Sequence, residues 1–323
     1  AKKMNAGVEI SFFNALKIQA DYFSEKREGI FLERASLPLY IGVSTKPYVN
    51  VGKMKNHGFD TSLEYNQRVG QVRLSGKANF TYAHNTIIDN DQPDWKYPYL
   101  NRRGQMLWQQ YGLVAAGLFE SQADIDSWPT QTFGEVKPGD IKYIDINGDG
   151  KIDTNDEKPI GWAAVPEIVY GFGLSAAWKG LDCSVFFQGA GHVTLQQSGS
   201  AIQAFSARNM MESGVYEDIY YNHWSEDNPN PNAKYPRLSI GSNKNNFRNS
   251  TFWMYKNNVF RLSNVQLTYD FPTDTFNGTF IRGLSLYCGG SNLLTIAKER
   301  EYMEMSLGAP QYRNFYLGFK AAF

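Results

Sequence analysis

The sequence predicts an all-β chain: a segment of an antiparallel transmembrane β-barrel with about ten strands, short periplasmic turns and long extracellular loops. Three observations predict it. Apolar and polar residues alternate with period two over long stretches. The connections alternate between two to four residues and several tens of residues, the asymmetry of an outer-membrane barrel. The chain closes on NFYLGFKAAF, which sets Phe315, Leu317, Phe319, Ala321 and Phe323 on one face and ends on an aromatic ring.

The first alternation places Val8, Ile10 and Phe12 together, turns at Asn14-Ala15, and returns through Ile18, Ala20 and Tyr22. Phe59, Thr61, Leu63 and Tyr65 follow, and a turn near Val69-Gly70 leads into QVRLSGKANFTYAH. There Val72, Leu74, Ala78, Phe80 and Tyr82 share one face, while Arg73, Ser75, Lys77, Asn79 and Thr81 share the other. VYGFGLSAAW and LDCSVFFQ are joined at Lys179-Gly180 and read as a tight hairpin. Further strands are expected over 251–271, 279–296 and 311–323. On this parity Phe172, Leu174, Trp178, Val185, Phe187, Phe315 and Phe319 face lipid.

Long connections are expected over 24–48, 85–110, 119–168 and 191–250, with a helical segment near 199–224. They carry DNDQPDWKYPYL and HWSEDNPNPNAKYPRL, compositions of ordered surface loops rather than low complexity. Their aromatics Trp95, Tyr97, Trp108, Trp162 and Trp224 are candidates for stacking on a substrate or a partner. Packing within the loops is the competing role for each.

Composition narrows the function classes. The 323 residues hold 32 Lys+Arg and 32 Asp+Glu, so formal net charge is zero, and no basic run marks a nucleic-acid partner. Aromatics reach 15%, which suits aromatic girdles. No run of 18 apolar residues offers a membrane-spanning helix, but a spanning strand needs only about 9–11 alternating residues. The mean hydropathy of -0.45 therefore does not bear on a barrel. No signal peptide is read at Ala1-Lys2-Lys3-Met4, where no apolar core follows. Cys183 and Cys288 are expected to be free, in strands separated by about three others. The four histidines have no zinc spacing and read as loop or surface residues. No nucleophile–base pair is evident, so catalysis is not expected.

One motif departs from the β pattern. In IDINGDGKIDTND, Asp145, Asn147 and Asp149 take positions 1, 3 and 5 of a calcium loop and Gly150 the turn position. Lys151 offers a carbonyl at 7, Asp153 lies at 9, and Asp156 at 12, where Glu is usual. The expectation is a structural Ca²⁺ that braces an external loop spanning 145–156. The competing reading is a polar Asx/Gly turn with no ion.

Several blocks resemble the SusC/RagA-like TonB-dependent transporters of Bacteroidetes outer membranes. They are NVGKMKNHGFDTSLEY, GDIKYIDINGDGKIDTNDEKPIG with PEIVYGFGLSAAWKGLDCSVFFQGAG, NVFRLSNVQLTYDFP, and GLSLYCGGSNLLTIAKEREY. The resemblance covers essentially the whole chain. It implies the C-terminal portion of a plugged barrel of about 22 strands, with the plug and the remaining wall supplied elsewhere. It implies TonB-energised import of glycan or peptide, a SusD-like surface lipoprotein as partner, and a TonB complex reached through the part not present here. Two other classes are weighed beside it: a secreted calcium-braced β-sandwich adhesin, and a passive porin.

Overall fold

The computed structural model describes residues 1–37, 39–42, 45–199, 202–205, 215–241, 243–298 and 312–323. In chain order the first strands are β1 (Lys2–Phe12), β2 (Leu16–Glu33), β3 (Tyr48–Val69) and β4 (Val72–Asp89). Short elements follow: β5 (Gln109–Gly112), β6 (Ala115–Leu118), helix α1 (Gln122–Asp126), β7 (Thr130–Gln131), β8 (Ile141–Tyr143), β9 (Lys151–Ile152) and β10 (Lys158–Ala163). Then come β11 (Ile168–Trp178), β12 (Leu181–Gly191), β13 (Thr194–Gln196), α2 (Glu217–Asn222), β14 (Met254–Lys256), β15 (Val259–Asp270), β16 (Gly283–Ile296) and β17 (Asn314–Ala322).

Nine strands form one antiparallel wall in the order β1-β2-β3-β4-β11-β12-β15-β16-β17. The count is nine rather than about ten, because the stretch expected as one strand over 251–271 is divided. Met254–Lys256 pairs with β13 outside the wall, and only Val259–Asp270 joins it. The strand expected over 311–323 runs from Asn314; residue 311 lies outside the described residues.

Turn chemistry sets the tight connections. Phe13 and Asn14 both adopt positive φ between β1 and β2, and Lys179 and Gly180 do so between β11 and β12. That backbone matches the right-handed twist of the paired strands, so two or three residues suffice.

Register shows why the wall has two unlike faces. Across one row Leu16, Tyr65, Gly76, Leu174, Val185, Val265, Gly290 and Phe315 are successive partners. The adjacent row carries Ser11, Lys17, Glu64, Lys77, Gly173, Phe186, Asn264 and Ser291. The first row is apolar throughout and the second is mostly polar, as a wall between lipid and a wet lumen requires. All seven residues expected to face lipid lie on the apolar face. From Val72 to Tyr82 the apolar face runs ten residue-to-residue steps. At roughly 3.3 Å per residue and a tilt of about 40° this spans about 25 Å, the height of a barrel's apolar band.

Beyond that band β2, β3 and β4 continue as paired strands to Glu33, Tyr48 and Asp89. The loops expected from 24 and 85 therefore begin later. Lys26 and Glu28 replace the apolar residues of the outer face, and the period-two signal disappears where the strands leave lipid. Cys183 and Cys288 are free, as expected. They are closer than expected: both pair with Leu267, so one strand lies between them rather than about three. Two interstrand spacings, roughly 9–10 Å, still exceed disulfide reach.

On the polar face, rings lie over glycines of neighbouring strands. A side chain at Gly171 or Gly173 would meet the Phe186 ring at 3.2 Å, and one at Gly289 or Gly318 would collide with Tyr316 or Tyr287.

Candidate functional site

The two long insertions, between β4 and β11 and between β12 and β15, fold together into a cap on one end of the wall. The cap has its own core of Leu113, Leu118, Ile141, Tyr143, Ile152, Ile219, Trp224, Tyr235 and Trp253. These residues belong to both insertions, so each buries its apolar side chains against the other. Of the helix expected near 199–224, α2 is present; residues 200–201 and 206–214 lie outside the described residues.

A buried polar spine joins the insertions. The Asp140 carboxylate is fully buried and accepts the Lys137 amide at 2.8 Å, Asn246 Nδ2 at 2.8 Å and Asn243 Nδ2 at 3.0 Å. Arg237 completes it with an ion pair. Gln131 donates to the Ile141 carbonyl and to Asn245 Oδ1, and accepts from the Tyr143 amide. The Tyr143 hydroxyl donates to the Asn245 carbonyl at 2.8 Å, and burial pushes its pKa up. Satisfied buried networks of this kind fix one arrangement, because any member left unpaired is costly. None of Asp140, Gln131, Asn245 or Asn246 carries a sequence signal that separates it from ordinary loop polar residues.

The acidic loop sits within this cap. Asp145 Oδ1 accepts the Gly148 amide at 2.7 Å and Oδ2 the Gly150 amide at 2.8 Å. Asn147 Oδ1 accepts the Asp149 amide, and Asp149 Oδ1 the Lys151 amide. Asp156 is fully buried; its Oδ1 accepts the Ile146 and Asn147 amides and its Oδ2 the Asp153 amide. Asp153 in turn accepts the Asn155 amide, forming a capping box with Asp156. The loop is thus curled by its own side chains, with Gly148 and Gly150 at positive φ. Asp145 and Asp149 keep unused lone pairs, whereas Asp156 is committed to the backbone. Among the described residues no three His, Cys, Asp or Glu side chains group as a metal cluster. The Tyr99 hydroxyl donates to the Asn155 carbonyl at 2.6 Å. Its pKa is pushed up to about 12 by burial first, and then by the negative charge of Asp156, Asp145 and Asp149 and by Tyr97.

The candidate loop aromatics separate into distinct environments. Trp224 is 4% exposed and packs in the cap core, so it is a packing residue and presents no face to a ligand. Trp162 lies parallel to the His192 ring at 4.0 Å. Tyr97 stacks on Tyr99 beside the acidic loop. Trp95 and Trp108 are exposed, Trp108 on a strained backbone with φ of 64°. The five are not brought together into one surface by any contact among the described residues.

Cap meets wall at a carboxylate that sequence reasoning missed. Glu167, almost fully buried at the start of β11, holds His84 Nδ1 of β4 at 2.5 Å and His192 Nδ1 after β12 at 3.1 Å. Two histidines expected as loop or surface residues are therefore parts of one joint. Their sequence separation hides it; only the β4–β11–β12 pairing brings them together.

Comparison with known proteins matches this architecture. No family model matches the chain. TonB-dependent receptor P3 of Formosa agariphila is 26% identical over 314 residues, covering 91% of this chain and 29% of the receptor. TonB-dependent receptor P26 of the same organism is 26% identical and covers 90% and 29%. A structure of the RagAB peptide transporter aligns over 99% of this chain with a TM-score of 0.75 and 22% identity, covering 35% of its own chain. The RagAB importer in its open-open state gives 0.74 at 21% identity. The chain has the fold of an outer-membrane β-barrel wall and is similar in sequence to TonB-dependent receptors. The SusC/RagA-like resemblance of its sequence blocks agrees with both comparisons. The chain spans about a third of the length of the relatives it matches.

Proposed function

We propose that this chain supplies wall and external cap to a TonB-energised importer of glycan or peptide, working with a SusD-like surface lipoprotein. One observation carries the reading: a two-faced transmembrane wall whose insertions fold into a single ordered cap. A passive porin needs the wall but not a cap with its own core and buried polar spine. A secreted sandwich would not present an apolar face about 25 Å tall to solvent. The edges point the same way. Among the described residues β1 pairs only with β2, and β17 only with β16. Unpaired backbone in hydrocarbon costs several kcal/mol per group, so further wall and an internal plug are inferred as partners, with outer-membrane lipid outside. The TonB complex would act through that plug-bearing part. No catalytic step is assigned to any residue.

Within this reading the acidic loop is a Ca²⁺ brace. Asp145, Asn147, Asp149 and the Lys151 carbonyl would hold the ion, with Asp153 and Asp156 shaping the loop behind them. Hard oxygen donors match that cation, and the negative field felt by Tyr99 is what a cation would relieve.

The test is uptake of labelled oligosaccharides and peptides by cells expressing the full-length polypeptide, with TonB present or deleted. Import should require TonB, and the lipoprotein should co-purify. Uptake that persists undiminished without TonB would favour the porin.

A further inference from the structure

We propose that the outer face of β1–β3, just above the lipid band on the cap side, binds the phosphate groups of an outer-leaflet glycolipid. The register places Lys2, Lys26 and Lys55 as successive partners in one row. Four residues closer to the membrane on the same parity, Tyr22, Phe59 and Tyr82 form another row. Those rings sit where an aromatic girdle marks the hydrocarbon boundary. At roughly 3.3 Å per residue and a tilt of about 40°, the lysines stand about 10 Å beyond it, at headgroup height. No bulge interrupts the pairing between the two rows, so the lysines share the lipid-facing side.

Charge at this height is unbalanced. Lys53 lies one row further out, beside Glu28 and Asp89. Four cations thus face two carboxylates. Lys26 pairs with Glu28 at 2.8 Å and Lys53 reaches Asp89 at 3.9 Å. No ion pair engages Lys2 or Lys55 among the described residues. On the lumen side at this height Lys3 and Arg27 both meet Glu25. The two lysines without an ion pair, Lys2 and Lys55, lie on the face that looks at lipid. Adjacent strands lie roughly 4.8 Å apart, so the three-lysine row spans about 10 Å. That matches a phosphorylated headgroup lying along the wall with its acyl chains against the apolar face below. The inference rests on the lipid-face assignment and not on the transported substrate.

The test uses the full-length polypeptide in detergent, with monophosphoryl lipid A as probe and binding read by native mass spectrometry. Each lysine near an anionic lipid surface contributes about fivefold in affinity, so Lys2→Gln/Lys26→Gln/Lys55→Gln together should weaken binding on the order of a hundredfold. Lys55→Gln alone should cost about fivefold. The lumen-side variant Lys17→Gln/Lys77→Gln should bind as wild type. Heat-dependent mobility on gels confirms that each variant keeps its barrel. Three results would overturn the proposal: wild-type binding by the triple variant, equal binding of dephosphorylated lipid A, or displacement of the lipid by millimolar inorganic phosphate.

Discussion

Replacing Asp156 by Ala isolates the carboxylate that holds the acidic loop in shape. Three backbone N–H groups lose their acceptor, those of Ile146, Asn147 and Asp153. An orphaned buried donor costs about 1–3 kcal/mol. The three residues are only half-buried, so the low end applies and the total is about 3 kcal/mol. The loop's local opening free energy should fall by that amount, on the order of a hundredfold loss of amide protection. Hydrogen exchange on the full-length protein reads this directly. The loss should be concentrated in 145–156 and extend at most to β7, which pairs with β9. Asp156→Asn should cost less, since its carbonyl can still accept two of the three donors. Unchanged protection in Asp156→Ala, or a loss spread evenly over the wall strands, would refute the argument that this carboxylate organises the loop.

Four further outcomes are expected. Tyr99, held near a pKa of about 12 by burial and neighbouring carboxylates, contributes stability that is full below pH ~10 and lost as pH rises toward about 12; millimolar Ca²⁺ should lower its titration midpoint in the wild type minus Tyr99→Phe difference spectrum, and no movement would sink the cation site. Gly139→Ala should unfold the cap, because φ is 84° and the new Cβ would collide with the Trp224 ring; limited proteolysis should cut the cap while heat-modifiability shows an intact barrel. Burial raises the Asp218 carboxyl, but the Lys234 ammonium, Tyr235 hydroxyl and Asn222 amide outweigh it and hold the pKa below normal. The contact between α2 and Lys234–Tyr235 is then fully present above pH ~4 and lost as pH falls further, a dependence that exchange measurements should find abolished in Asp218→Asn. Leu174→Arg, on the exposed apolar face, should cost about 2–4 kcal/mol of barrel stability in denaturant titration.

The wall was legible in the sequence because lipid and lumen impose opposite demands on alternate residues. Phe172, Leu174 and Val185 could be assigned to a face from spacing alone. Legibility ended where that demand ends. Lys26 and Glu28 continue β2 beyond the hydrocarbon, where the outer face accepts a charge, so the strand reads as loop from residue 24. The calcium-type spacing showed the curl of residues 145–156 correctly, since Asx turns and cation loops share the same alternating oxygens. It did not show that Asp156 is spent on backbone amides. The cap's spine and the Glu167 joint were illegible for a different reason: their partners are separated by up to about a hundred residues, and pairing of this kind has no period.

The rings lying over Gly171, Gly173, Gly289 and Gly318 bear on what happens inside the barrel. Each aromatic side chain takes the volume that a neighbouring strand has given up. Phe186, Tyr287 and Tyr316 therefore lie against the wall instead of projecting from it. On the same face the Ser75 and Ser175 hydroxyls pair at 2.6 Å across neighbouring strands. Enlarging any of these glycines would push a ring off the wall and into the lumen, so the missing side chains set the inner contour as much as the rings do.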